Sequence, residues 1–239
     1  MSHTLQRLQT LYHARNFRIF VFGDFASLIG NWVQRVGVGW LAWELTHSAA
    51  WLGIIGFAEL GPALLMAPLG GILADRYNPR TVMIITQSLR LLQALALCVL
   101  TLAAFINIWW LFGLSLFRGI LASLNQPARQ TIIPALVPRE ELPSAIAINA
   151  LNYNVGRFIG PPIAGFAIAG VGVWLAFAIN VATYFFMLFS LWCIDLPPRK
   201  RRSPAGKRAI VTEMVEGFRF VLNHTGILLI LMVLTIVSF

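Results

Sequence analysis

One short charged segment limits what this chain can become. Residues 70–80 read Gly-Gly-Ile-Leu-Ala-Asp-Arg-Tyr-Asn-Pro-Arg, and long apolar runs lie on both sides of them. Asp75, Arg76 and Arg80 stand too close together to share a hydrocarbon environment, because each buried charge in lipid costs several kcal/mol or needs a partner. The segment therefore marks a membrane surface. It is too short to hold a domain, so the flanking runs must be helices that return on each other as an antiparallel pair.

Composition agrees with this reading. The chain is 58% hydrophobic and only 11% charged, against about 25% charged residues in a soluble domain. It cannot cover a soluble surface and is an integral membrane protein. The net charge of +9 does not indicate nucleic acid. The basic residues fall in short loops and one linker, without the aromatic and basic interleaving of a binding face. Cys98 and Cys193 lie in apolar runs and read as buried structural thiols, not a disulfide. His3, His13, His47 and His224 all fall in loops or tails, so no metal cluster is expected. No Gly-x-Ser-x-Gly, no intramembrane His and no acid pair at catalytic spacing within one helix is present, which argues against an enzyme.

Six membrane helices are predicted, at about Phe17–Leu45, Ala49–Ala74, Thr81–Ile106, Trp109–Leu136, Ser144–Ala169 and Val173–Ile194. Each is long enough to cross ~30 Å of hydrocarbon. Residues 1–16 are a polar, basic lead-in without a secretory signal core. Residues 195–225 form a basic linker with an amphipathic helix, where Val215, Phe218 and Val221 recur at helical spacing. Residues 226–239 begin a seventh apolar run of ~21 Å, too short to span comfortably. The turns near 46–48, 107–108 and 170–172 lack Lys and Arg, whereas the N-terminus, the 75–80 and 137–143 loops and the linker are basic. The positive-inside rule puts the N-terminus and the basic loops in the cytoplasm.

Polar residues within the spans are the candidates for function. Asp24, Asn31 and Arg35 fall on one face of the first helix, with Gln34 beside them. Counted at 1.5 Å per residue, Glu59 lies ~15 Å and Arg118 ~14 Å from the outer surface, so the two can pair if their helices adjoin. Arg90 and Asp24 lie at heights that a long side chain can bridge, which suggests a second pair. Asn125 and Arg129 continue the Arg118 face, and Arg129 reads as an arginine snorkelling to the cytoplasmic surface. Two readings stay open for these residues. They line a transport cavity in which Glu59 or Asp24 titrates, or they are static pairs that hold helices in register.

The 70–80 segment resembles the loop between the second and third helices of the major facilitator superfamily, G-x-x-x-D-R-x-G-R-R/K. Gly71, Asp75, Arg76 and Arg80 match it. Asn78 replaces a glycine, as a residue that visits left-handed backbone can, and Pro79 stands in place of an arginine. In the fifth helix Gly156, Gly160, Pro161 and Gly165 resemble the G-x-x-x-G-P-x-x-G-G motif of facilitator antiporters, with Ala164 in place of one glycine. Small residues there permit close helix approach, and the consecutive prolines Pro161 and Pro162 bend the helix. Of the family's fourth-helix R-x-x-Q-G only Arg118 is kept. Residues 125–142 look closest to the subgroup of the enterobactin exporter and related drug exporters.

The resemblance implies an all-α membrane protein: the six helices of an N-terminal transporter half in a three-plus-three inverted repeat, plus an incomplete seventh. It implies a secondary active transporter of the export type in the inner (cytoplasmic) membrane. Protons are the expected coupling ion, with no other cofactor. The expected partners are membrane lipid, a small amphipathic substrate such as a drug or siderophore, and a missing C-terminal half or second subunit. In the family Asp75 belongs to a conformational lock against that other half. The rival expectation is a non-transporting membrane scaffold built on a transporter half.

Overall fold

The structure, a computed structural model, describes residues 15–195. The expectations for the lead-in, the basic linker and the seventh run fall, apart from residues 15, 16 and 195, outside the described residues. Among the described residues six α-helices follow one another: α1 (Arg15–Thr46), α2 (Ala49–Arg76), α3 (Pro79–Leu102), α4 (Ile108–Leu136), α5 (Leu142–Gly170) and α6 (Val173–Cys193). A single 3-10 turn, Arg139–Glu141, precedes α5, and no strand occurs among the described residues. The six-helix, all-α architecture is the expected one.

Local chemistry sets the helix ends. Asn107 caps α4 by accepting from the backbone N–H groups of Trp109 and Trp110 at 3.1 and 3.0 Å. Gly172 starts α6 at φ 126°, a conformation that favours glycine. The turn before Asn107 begins earlier than expected, so α3 ends at Leu102 and not near Ile106. The expectation for Asn78 is corrected. Its φ is −64° and ψ 121°, with no left-handed backbone, and its side chain accepts from Arg80 N at 2.9 Å. A following proline drives the preceding residue into extended backbone, and Pro79 then occupies the first helical turn, where its missing N–H costs nothing. Arg80 Nη2 donates to the carbonyl of Trp192 at 3.1 Å, and Asn16 Nδ2 to that of Asp195 at 2.8 Å. Both bonds gather the α1 start, the α3 start and the α6 end at one end of the bundle.

Length and apolarity alone qualify α3, α4 and α6 to cross a membrane, and α2 as a fourth if its segments Ala49–Ala63 and Pro68–Arg76 count as one span. The 32-residue α1 and 29-residue α5 are long enough. They carry too many polar residues, among them Asp24, Asn31, Gln34 and Arg35 on α1 and Asn149, Asn152, Asn154 and Arg157 on α5. Asp24 and Gln34 are buried, while Phe158, Phe166 and Trp192 are largely exposed. Polar groups inside and large apolar groups outside are the arrangement that lipid, not water, favours.

α1 packs on α5 and α6, α2 on α4, and α3 on α4 and α6. Exchanging the first three helices with the last three turns the α1–α5 pair into α4–α2 and α1–α6 into α4–α3, and leaves α3–α6 unchanged. The packing thus repeats as a three-plus-three inverted repeat requires. One apolar cluster, with Phe20, Met83, Ile132 and Leu191, closes the bundle near the charged turns. A second, with Leu41, Leu97, Leu111 and Phe177, closes the opposite end. The polar side chains lie between them.

Close helix approach is set by glycines that the sequence reading passed over. A Cβ on Gly23 would strike Ser190, one on Gly30 would strike Thr183 and Asn180, and one on Gly37 would sit 3.1 Å from Ala176 Cβ. The glycines recur every seven residues on α1 and their partners every seven on α6, in opposite order. Two turns of helix separate successive contacts, so one seam faces α6 along most of α1.

The neighbouring glycines of the charged segment behave oppositely. A Cβ on Gly70 would lie 2.6 Å from the carbonyl oxygen of Ser123 on α4, whereas one on Gly71 meets nothing within 4 Å. We expect Gly70→Ala to destabilise the bundle by about 1–3 kcal/mol through overpacking. Gly71→Ala should be neutral or slightly stabilising, since Ala is the better helix former. Thermal unfolding of the two variants in detergent micelles measures this contrast.

Candidate functional site

A cavity of about 220 Å³ opens between α1, α2, α3, α4 and α5. This is well above the roughly 10–15 Å³ that a single water needs. Asp24, Asn31 and Arg35 on α1, Glu59 on α2 and Arg118 and Asn125 on α4 all line it, and so do Arg90 and Arg129. Helical period alone brings the α1 residues to one wall. Asp24 and Arg35 mark its two ends, ~16 Å apart along the helix.

Each carboxylate holds an arginine. Arg118 Nη1 donates to Glu59 Oε1 at 2.5 Å, and Arg35 Nε donates to Oε2 at 3.2 Å. Glu59 thereby ties α2 to both α1 and α4. The expected Glu59–Arg118 contact forms because α2 and α4 adjoin. Gly119 permits this, since a Cβ there would lie 2.6 Å from the Glu59 carbonyl oxygen and 2.7 Å from that of Ala58.

The second pair is corrected. Asp24 is held by Arg129, not Arg90: Nε reaches Oδ1 and Nη2 reaches Oδ2, both at 2.6 Å. This two-pronged geometry is the strongest form of an arginine–carboxylate contact. Arg129 also donates to Asn149 Oδ1 on α5 at 2.7 Å. It is buried, so it does not snorkel to the surface. Arg90 instead donates through Nη2 to Asn31 Oδ1 at 2.5 Å and lies over the Tyr184 ring, 5.2 Å from its centroid. The Tyr184 hydroxyl donates to the same Asn31 oxygen at 2.8 Å.

Amides and a hydroxyl complete the polar layer. The Thr86 hydroxyl donates to Asn125 Oδ1 at 2.8 Å, linking α3 to α4. Gln34 donates to Gln93 Oε1 at 3.1 Å and accepts from Asn180 Nδ2 at 2.6 Å, joining α1, α3 and α6. Trp32 sits at the cavity wall with the Arg35 and Arg157 guanidinium groups 5.2 and 5.7 Å from its ring. Tyr184, Gln93, Asn180 and Trp32 were not singled out from sequence. A lone amide within an apolar run was the signal for Gln93 and Asn180. Nothing comparable marks Trp32 or Tyr184, because aromatic residues are common in membrane helices.

No residue of the two motifs lines this cavity. Asp75 is exposed at the α2–α3 turn and has no hydrogen-bond or ion-pair partner among the described residues. Arg76 and Arg80 are half-buried there. Of the antiporter-like motif, Gly156 and Gly160 face Leu28, Ile29 and Trp32 on α1, whereas Gly165 meets nothing within 4 Å. Ala164, fully buried, continues the packing stripe in place of Gly165. Pro161 stands beside that stripe, and α5 runs as one helix through both prolines.

Comparison with known proteins places these features in a family. Residues 10–238 match the family described as transmembrane secretion effector. The staphyloferrin A transporter of Staphylococcus aureus is 32% identical over 180 residues, covering 75% of this chain and 45% of that protein. The enterobactin exporter of Escherichia coli O1:K1 is 30% identical over 209 residues, covering 86% of this chain and 49% of the exporter. An uncharacterized major-facilitator-type transporter of Bacillus subtilis is 26% identical over 219 residues, 89% of this chain and 51% of that protein. The chain spans about half the length of these relatives.

Proposed function

The chain belongs to the transmembrane secretion effector family of major-facilitator transporters, and from that premise we propose that it forms the N-terminal six-helix half of a proton-coupled exporter of small amphipathic molecules. The reading is carried by one observation: two buried carboxylates, each held by arginine, face a cavity large enough for water. A proton reaching Glu59 from that cavity neutralises the group that holds α1 and α4 to α2. A proton reaching Asp24 does the same for the α1–α4 contact. The first event frees two arginines and the second frees one, and either loosens helices that are otherwise fixed, which is what a rocking half needs. Siderophores such as those named for the relatives are the first substrates to try. The membrane is the inner (cytoplasmic) one, with the basic turns in the cytoplasm. The exposed Asp75 and the open space beside Gly71 suit contact with a C-terminal half or a second subunit.

The test uses inside-out vesicles from cells that express the native gene product, with acridine orange reporting the pH gradient. Addition of enterobactin or staphyloferrin A should collapse part of the gradient. We expect Glu59→Gln and Asp24→Asn to leave the fold intact and to lower that response at least tenfold. Full response in both variants removes the proton-coupling reading. The scaffold reading has its own support, since both carboxylates are fully paired and could serve as register locks. It requires Glu59→Gln to be silent in every transport assay. The mass of the native product decides the partner question separately: a product about twice the mass of this chain carries its second half in the same polypeptide.

A further inference from the structure

The cavity does not balance its own charge. Four arginines, Arg35, Arg90, Arg118 and Arg129, line it against two carboxylates, Asp24 and Glu59. Three of the four reach a carboxylate. Arg90 does not. It is 7% exposed, and among the described residues no carboxylate lies within ion-pair distance of it. Among the described residues its polar and ring contacts are the Asn31 oxygen and the Tyr184 ring. Its Nε is buried without a hydrogen-bond acceptor. The Asn31 oxygen already accepts from Tyr184 as well. A neutral amide and an aromatic face offset only part of the desolvation of a buried guanidinium, so this cation is held ready for an acceptor that the described residues do not supply.

We propose that Arg90 is the receptor for an anionic group on the transported molecule, which makes the substrate an amphipathic anion with an aromatic or apolar body. The inference rests on the transport reading above and narrows it. Arg90 offers a planar fork of donors suited to a carboxylate. Trp32, Leu28 and Leu60, which also line the cavity, offer the apolar wall for the rest of the molecule. Tyr184 and Asn31 hold the guanidinium in place, so the fork is positioned before the anion arrives and little order must be imposed on binding.

The test compares three probes of one shape: 2-naphthoate, 2-naphthamide and 2-naphthylmethylammonium. Binding to the protein in phosphatidylcholine nanodiscs is read by energy transfer from tryptophan and by equilibrium dialysis. The anion should bind at least tenfold more tightly than the amide, and the cation most weakly. Arg90→Gln should abolish the preference, and Arg90→Lys should keep part of it. Equal binding of anion and amide, binding of none of the three, or an unchanged preference in a folded Arg90→Gln overturns the inference. The comparison on the unaltered protein needs no variant to fold. Displacement of naphthoate by a few mole per cent of phosphatidylglycerol would identify a lipid headgroup as the occupant and also overturn it. Binding is measured without transport, so the two readings fail separately. A chain that prefers the anion but moves nothing defeats export alone, and one that exports cations without an anion preference defeats this inference alone.

Discussion

Asp24→Ala is expected to cost about 3–5 kcal/mol of stability, the range seen when one partner of a buried ion pair is removed. The loss follows from what is left behind. Arg129 is buried and spends both prongs on the Asp24 carboxylate, and its one other hydrogen-bond partner among the described residues is Asn149. Without Asp24 a desolvated cation remains between α1, α4 and α5. The double variant Asp24→Leu with Arg129→Met removes both charges at similar volume and should recover most of the loss. Asp24→Asn keeps one acceptor and should lose much less. Thermal or denaturant unfolding in one detergent gives all four values, and the single variants Asp24→Leu and Arg129→Met, measured the same way, complete the cycle that gives the coupling energy between the two sites. An Asp24→Ala protein as stable as the parent would mean that Arg129 finds water at the surface.

Gly119→Val should cost less stability but disturb the site more, by a different route. Any Cβ at this position meets two backbone carbonyl oxygens, those of Ala58 and Glu59. Backbone cannot rotate out of the way as a side chain can, so α2 and α4 must part. Overpacking of this kind costs about 1–3 kcal/mol. The larger consequence is at the next residue along each helix. Arg118 and Glu59 meet at hydrogen-bond distance only because the helices touch at Gly119. A shift of about an ångström weakens that bond steeply. Gly119→Ala should therefore show a smaller stability loss but most of the transport defect of Glu59→Gln. Cysteine cross-linking between the two helices, followed in parent and variant, reports the separation directly.

Much of this was legible in the sequence, for identifiable reasons. Apolar run length fixes spans because the bilayer has a fixed thickness. Helical period placed Asp24, Asn31 and Arg35 on one wall, and depth counting put Glu59 and Arg118 at one height. Counting along a helix gives height but no direction around it. Arg90 stood at a height that could meet Asp24 and Arg129 read as a surface arginine, and only the packing of α4 on α1 brings Arg129 to Asp24. The same gap hid the α1–α6 seam, whose glycines look like any others until their partners are known. Asn78 was misjudged by reading one position at a time. The following proline, not the replaced glycine, governs its backbone.

The seam between α1 and α6 also predicts how this chain tolerates change. Gly23, Gly30 and Gly37 meet Ser190, Thr183 and Ala176 in turn, while a Cβ on Gly39 meets nothing within 4 Å. In a library carrying every substitution along α1, the rejected positions should rise and fall with a beat of seven residues, with Gly39 falling off the beat. Pairing each α1 substitution with a smaller residue on α6 should restore its own position and none of the others. Such a library would trace the contact line of two membrane helices from growth counts alone.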